Sequence, residues 1–126
     1  MGRKLLFVNF TFAAAVIGMS VAAVAGSGAG ITIAAGWTYN VFAEDLPKVD
    51  NIAVRADGSI YVTLELKRGH GSVVRLSGGR RTVTAEGFNK PDGLALSGSH
   101  LFVSEEAKGG RIIRIDLSND RKTEVA

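Results

Sequence analysis

Acidic residues recur at matching places in the later part of the chain, where they could bind a cation. Asp50 and Asp92 each begin a short apolar run, and Glu65 and Glu106 each follow the next run along the chain. If the two runs of each set are neighbouring antiparallel strands, the second ends where the first begins. Asp50 is therefore predicted to lie near Glu65, and Asp92 near Glu106, at one rim of the fold.

Converging carboxylates suit a hard cation such as Ca²⁺, which takes about six to eight oxygen ligands. A divalent ion held there can polarise a carbonyl group and lower the pKa of water. A structural role fits the same spacing, because Asp before Gly is common in turns. The glutamates could equally form surface ion pairs with Lys67, Lys108 or Arg111. Both interpretations stay open on spacing alone.

Other side chains with catalytic potential are poorly placed. His70 falls in a glycine-flanked loop and His100 in a predicted hairpin turn, and neither accompanies Ser and Asp in a nucleophile motif. The chain has no cysteine, which excludes a disulfide framework and a thiolate metal site. The carboxylates are left as the candidates for chemistry.

The acidic residues recur because the sequence repeats itself. Residues 41–54 match residues 83–96 at a constant offset of 42 positions. Two later segments of the unit match after short deletions, at offsets of 41 and 39. A unit of about 40 residues with four β-rich runs is typical of a propeller blade.

The first unit shows four such runs, separated by turn residues. Asp57-Gly58 is a hairpin signal between the first two. After residue 36 no run keeps an apolar period of 3.6, so the body of the chain is predicted to be all-β. The predicted strands of the first unit are 51–55, 59–63, 72–76 and 82–86.

The number of strands predicts a partial, truncated β-propeller of about two four-stranded blades over residues 37–126. Residues 37–44 match the outermost strand of a preceding blade, one full blade follows, and three strands of another end near Asp116. A six-bladed ring needs roughly 240 residues, whereas 126 minus 25 leaves 101. Either the chain is a fragment that lacks blades, or several copies associate to close a ring.

The head of the chain predicts export. Residues 1–25 combine a basic start at Arg3 and Lys4, a long apolar stretch and the small-residue sequence Ala23-Val24-Ala25, as in a signal peptide with an apolar helix. Residues 26–36 are predicted to be a linker. The product would be periplasmic or secreted, and membrane-bound only if the segment stays uncleaved as an anchor.

The net charge makes nucleic acid an unexpected partner. The formal charge is +3 with 15 basic and 12 acidic residues, and removal of Arg3 and Lys4 with the signal leaves +1. No cluster of Lys and Arg is interleaved with stacking aromatic residues. A small molecule is the expected ligand.

The second unit resembles a known family. Asn89-Lys90-Pro91-Asp92-Gly93-Leu94-Ala95-Leu96, Leu101-Phe102-Val103-Ser104 and Gly109-Gly110-Arg111-Ile112-Ile113-Arg114-Ile115-Asp116 resemble the PDG…LWVA…GGRVxRxDP blade of the senescence marker protein/gluconolactonase/LRE-like family. The resemblance covers about residues 40–116. The family's Glu-x-Pro-x-Trp metal-binding segment is not recognisable in this chain.

The resemblance implies a six-bladed propeller with a divalent cation in its central channel, most often a hydrolase of lactones or esters. It implies that Asp92 is a metal ligand and the catalytic base, and that Asp50 or Asn51 is a metal ligand from the preceding blade. A sugar lactone is the implied substrate, and Glu65 and Glu106 would be carboxylates of the same rim. Propellers with NHL repeats share these motifs and predict a non-catalytic binding platform. A quinoprotein sugar dehydrogenase is disfavoured, because no basic and histidine cluster for a quinone is visible.

Overall fold

The fold is all-β throughout the part of the chain that is described. The computed structural model describes residues 3–9, 34 and 38–126. Within these residues no helix is long and apolar enough to cross a membrane. The strands are β1 (Arg3–Asn9), β2 (Thr38–Leu46), β3 (Val49–Val54), β4 (Ile60–Leu64), β5 (Gly71–Ser77), β6 (Arg80–Phe88), β7 (Pro91–Ser97), β8 (His100–Glu105), β9 (Ile112–Asp116) and β10 (Arg121–Glu124).

The strands form two antiparallel four-stranded sheets and one strand pair. Sheet 1 runs in the order β3-β4-β5-β6, and sheet 2 in the order β7-β8-β9-β10. The remaining pair, β1 with β2, is antiparallel and is called here the N-terminal pair. The predicted all-β class and the two four-stranded units are confirmed.

Local turn chemistry sets the hairpins of these sheets. At the turn between β3 and β4, Gly58 has a φ of +79°, which glycine adopts without strain. The Asp57 carboxylate accepts hydrogen bonds from the Ser59 amide at 2.9 Å and from the Ser59 hydroxyl at 2.5 Å. The Asp-Gly hairpin predicted from the sequence lies at this turn.

The backbone conformation just before β3 repeats just before β7, as the sequence does. Lys48 and Lys90, 42 positions apart, have φ values of +47° and +53°. The Lys48 carbonyl accepts the Glu65 amide, and the Lys90 carbonyl accepts the Glu106 amide, both at 2.8 Å. Each pair of acidic residues is therefore set by the same main-chain geometry.

The main hydrophobic core lies between the two sheets. Tyr61, Phe88 and their neighbours on one face of sheet 1 pack against one face of sheet 2. Successive residues of a strand face opposite sides of its sheet, so every second side chain enters this core. The buried members are Tyr61, Val73, Ala85, Phe88, Leu101, Val103, Ile113 and Ile115.

A second core covers the other face of sheet 1. Leu46 of β2 is fully buried there, with Ala43 and Val49 packed at its border. Ala43 and Leu46 lie 42 positions before Ala85 and Phe88, which face sheet 2 in the main core. Thus β2 packs on sheet 1 as β6 packs on sheet 2. The remaining buried members are Ile60, Val62, Leu64, Val74 and Leu76.

The N-terminal pair repeats the pairing of β5 with β6. Leu5 pairs with Ala43 and Leu6 with Val41, with a register shift between Leu5 and Leu6. In sheet 1, Val73 pairs with Ala85 and Val74 with Val83, with a shift at the same place. The N-terminal pair therefore has the strand pairing of the outer half of a four-stranded sheet.

Two expectations from the sequence need correction. The second unit was expected to end after three strands near Asp116, but β10 follows as a fourth. This strand, Arg121–Glu124, is short and charged, so it has neither the length nor the apolar alternation that identifies a strand in sequence. A charged composition is common in edge strands.

The second correction concerns the predicted signal helix. The described part of residues 1–25, Arg3–Asn9, is a strand and not a helix. Without β1, the backbone amide and carbonyl groups along this edge of β2 would lack strand partners, and pairing with β1 supplies them. The rest of the predicted signal and the linker 26–36, apart from residue 34, lie outside the described residues.

One face of sheet 2 lacks a covering layer among the described residues. Phe102 is half-buried there, while Ile112 is 41% and Val125 48% exposed. Phe102 and Ile112 match Tyr61 and Val73 in the repeat, both of which are buried in the main core. We call Phe102, Ile112 and Val125 the open face.

Candidate functional site

The four predicted acidic residues lie at one rim of the two sheets. Asp50 is the second residue of β3 and Asp92 the second residue of β7. Glu65 and Glu106 come directly after β4 and β8, which are antiparallel to those strands. The structure thus brings together the four carboxylates from two neighbouring sheets.

The Asp50 and Asp92 side chains lie within interaction distance of each other across the boundary between the sheets. The hydrogen bond with Asp92 raises the pKa of Asp50 above 3.8, and burial and the negative charges of Asp92, Glu65 and Glu106 raise it further. The site therefore contains two neighbouring acids, one from each sheet.

Lys90 neutralises the other two carboxylates of the rim. Its Nζ lies 3.3 Å from Glu65 Oε1 and also contacts Glu106 Oε2. The hydrogen bond with Glu106 raises the pKa of Lys90, and the bond with Glu65 adds to this against some desolvation. The sequence suggested Lys67, Lys108 or Arg111 as partners, but Lys90 pairs with both glutamates.

Asn51 uses its side chain locally. Its Oδ1 accepts the amide of Ile52 at 3.0 Å, so the amide group is turned along its own strand. Its backbone amide donates to Thr63 Oγ1 at 2.9 Å. Of the three predicted metal ligands, Asp50 and Asp92 are therefore the better placed.

Two hydroxyl groups behind the rim were not identified from the sequence. Thr63 of β4 is fully buried. Ser104 of β8 holds the equivalent position, 41 residues later, and its Oγ accepts the amide of Gly93 at 3.0 Å. The available signal was a hydroxyl residue recurring in a strand of otherwise bulky apolar residues.

Glu105 is a second feature that the sequence prediction missed. Its side chain is 3% exposed and binds Arg111 through both oxygens, with Nε–Oε2 at 2.9 Å and Nη2–Oε1 at 3.0 Å. It also accepts the Asn89 amide at 2.9 Å. Burial alone would raise the pKa of Glu105, but the bonds from Arg111 and Asn89 together lower it.

Glu105 stabilises the loop that follows β8 and is not one of the rim carboxylates. Arg111, its partner, also contacts Glu124 of the edge strand β10 at 3.3 Å. The equivalent residue of sheet 1 is Leu64, which is buried in an apolar core. The carboxylate therefore replaces a packing contact with an ion pair in sheet 2.

The histidines take no part in the rim. His70 lies exposed in the turn before β5, and His100 is the first residue of β8. Across residues 38–126 no group of three or more His, Cys, Asp or Glu side chains is arranged to hold a metal ion. The sheets thus supply two carboxylates for a cation, Asp50 and Asp92, with Lys90 close by.

Comparisons with known proteins identify no relative. No family model matches the chain, no curated protein is significantly similar to it, and no solved structure matches it significantly.

The donor set fits a divalent cation in part. Asp50 and Asp92 are hard oxygen ligands, and a cation would offset the negative charge of Asp92 that contributes to the raised pKa of Asp50. Two carboxylates are fewer than the six to eight oxygens that Ca²⁺ takes, so water or other groups would complete the shell. The residues present fit one side of a cation site.

Proposed function

We propose that the two sheets are two blades of a gluconolactonase-like, six-bladed propeller that binds a divalent cation and, as a closed ring, hydrolyses a sugar lactone or similar ester. The observation that carries the proposal is the placement of Asp50 and Asp92, one acid from each sheet, at the same rim. Ca²⁺ is the cation that best suits carboxylate ligands of this kind.

The role of the rim acids follows from their position. As carboxylates, Asp50 and Asp92 would hold the cation. When bound, it supplies polarisation of the ester carbonyl and a lower pKa for water. Asp92 then accepts a proton from the attacking water as the catalytic base. The water oxygen bonds to the carbonyl carbon, the ring C–O bond breaks, and the leaving alkoxide takes the proton that Asp92 accepted from the water.

The test is cation binding by the chain itself. Tb³⁺, a luminescent substitute for Ca²⁺, should bind the wild-type chain and be displaced by Ca²⁺. Asp92→Asn should weaken this binding at least tenfold, whereas Asp120→Asn, in an exposed turn, should leave it unchanged. Equal binding by the wild type and Asp92→Asn would refute the cation site.

The partner and location proposals depend on the same architecture. The open face of sheet 2 would be covered by a further blade or by self-association, since its counterpart on sheet 1 is covered by sheet 2. Export to the periplasm or the medium is proposed from the composition of residues 1–25. Fractionation of cells that express the tagged chain tests the location directly.

A non-catalytic binding platform of the NHL type is the second candidate, and Lys90 favours it. Its ammonium group already neutralises Glu65 and Glu106, so half of the rim carboxylates are used in ion pairs between and within the sheets. A platform tolerates Asp92→Ala in its binding of partners. The hydrolase loses cation-dependent activity with the same change.

A further inference from the structure

Thr63 connects the first residues of the two inner strands. Its buried Oγ1 accepts the Asn51 amide at 2.9 Å, within sheet 1. The hydroxyl proton has two carbonyl acceptors within reach, Asp92 O in sheet 2 at 3.3 Å and Asn51 O at 3.5 Å. One hydroxyl therefore bonds to the main chain of Asp92 and to that of the residue next to Asp50.

This position is unusual for a polar group. The other residues of β4 are Ile60, Tyr61, Val62 and Leu64, all of them buried. A hydroxyl that is removed from water costs free energy unless its hydrogen bonds are made. Valine, of almost the same shape, would pack there without that cost, so packing alone does not explain the threonine.

The repeat separates two uses of this hydroxyl. Ser104, the counterpart in sheet 2, accepts the Gly93 amide at 3.0 Å, as Thr63 accepts the Asn51 amide. A Cβ atom on Gly93 would lie 2.6 Å from Ser104 Oγ, so the contact is close. Both hydroxyls thus bind the inner strand of their own sheet, β3 for Thr63 and β7 for Ser104. Only Thr63 of the two also bonds to Asp92, which connects sheet 1 to sheet 2.

We infer that Thr63 is a positioning residue that sets the spacing of Asp50 and Asp92 through the main chain of Asn51 and Asp92. It touches neither carboxyl group. It fixes the ends of β3 and β7 relative to each other, and those ends carry the two acids. The inference deepens the proposed function, because the pair it positions is the proposed cation site.

Thr63→Val and Thr63→Ser separate the hydroxyl from the shape of the side chain. Thr82→Val, on an exposed part of β6, is the matched control. The first measurement needs no cation: amide hydrogen exchange at Asn51 and the ¹³C shift of the Asp92 carbonyl, in the full chain. Thr63→Val should accelerate exchange at Asn51 and move the Asp92 shift, Thr63→Ser should restore both, and Thr82→Val should change neither.

The second measurement is Tb³⁺ affinity. Supporting groups behind metal ligands typically contribute about 10- to 100-fold to affinity, so Thr63→Val should weaken binding at least tenfold and Thr63→Ser should recover most of it. An unchanged Asp92 carbonyl shift in Thr63→Val overturns the inference, as does loss of affinity in Thr63→Ser equal to that in Thr63→Val. A wild-type chain that binds no cation overturns the proposed function, while the carbonyl shift still decides the role of Thr63.

Discussion

The Nζ of Lys90, just before sheet 2, lies 3.3 Å from Oε1 of Glu65, just after β4 of sheet 1. The same ammonium group contacts Glu106, so it holds one glutamate from each sheet. Lys90 thus occupies the position from which an external cation could bind these two further carboxylates.

Removal of this internal cation should strengthen the binding of an external one. Lys90→Met removes the positive charge beside Glu65 and Glu106. Ca²⁺ should then bind at least tenfold more tightly, because a unit charge and a divalent charge roughly 10 Å apart repel by about 3 kcal/mol at an effective dielectric constant of about 20, before screening by salt. Titration at low salt measures this, with Lys67→Met in the exposed loop as the control. Weaker binding in Lys90→Met would contradict the placement of the cation beside Lys90.

The acid pair gives the apo protein a distinct pH dependence. The folded-state pKa of Asp50 is raised above 3.8, so the folded chain holds this proton more tightly than the unfolded chain does. Its contribution to the free energy of unfolding is therefore greatest below pH 3.8 and falls as the pH rises through the raised value. Urea unfolding in the presence of a chelator should show Asp50→Asn more stable than the wild type at pH 7.

Added Ca²⁺ should reverse this order. It stabilises the wild type by binding to the folded state alone, and Asp50→Asn should lose most of that effect. A wild type that is already more stable than Asp50→Asn at pH 7 without the cation would show that the two carboxyl groups do not repel each other.

Glu105 should give the opposite pH dependence. Its lowered pKa means that its contribution to stability is present above pH 4.5 and is lost as the pH falls through the folded-state value. Glu105→Ala also leaves the Asn89 amide without its acceptor, at a cost of about 1.5–3 kcal/mol. Chemical denaturation at pH 7 and pH 3 measures both effects, and the difference between variant and wild type should shrink at pH 3.

Glu124→Gln is the control for this pair, because Glu124 is more exposed than Glu105 and contacts Arg111 at Nη1, at 3.3 Å. It should change stability by a few tenths of a kcal/mol. An equal loss in Glu124→Gln and Glu105→Ala would mean that Arg111, and not the buried carboxylate, dominates the contact.

The open face of sheet 2 should make the chain self-associate. Ile112 and Val125 are exposed, yet Val73, the counterpart of Ile112 on sheet 1, is buried in the main core. Phe102→Ser combined with Ile112→Thr should shift sedimentation velocity profiles towards the monomer. Val83→Thr, at an exposed position on sheet 1, should leave them unchanged. A wild type that stays monomeric at high concentration would contradict this use of the face.

Much of the fold could be predicted because the repeat encodes it. Alternating apolar residues and an Asp-Gly turn located the strands of sheet 1 to within two residues at every end. The edge strand β10 was missed, since Arg121–Glu124 has no apolar pattern. Residues 3–9 were predicted to be helical because they begin a long apolar run that does not alternate with polar residues as a half-buried strand does. Their partner strand β2 is also distant in sequence.

The site was predictable in its carboxylates but not in its partners. The antiparallel arrangement of neighbouring strands indicated that Asp50 and Glu65 share a rim. The contacts of Lys90 and Thr63 cross from one sheet to the next, and no periodicity within a strand reports on them. The proximity of Asp50 to Asp92 depends on the same packing of the two sheets.

The pairing of Arg3–Asn9 with Thr38–Leu46 would link maturation to folding if residues 1–25 act as the proposed signal peptide. If a peptidase removes residues 1–25 on export, β2 loses its partner and presents a bare row of amide and carbonyl groups. The unprocessed chain covers this edge itself, whereas the processed chain would have to recruit a strand from elsewhere. Cleavage would therefore expose a strand edge that can pair with another chain. Because cleavage accompanies export, assembly would be delayed until the chain has left the cell interior.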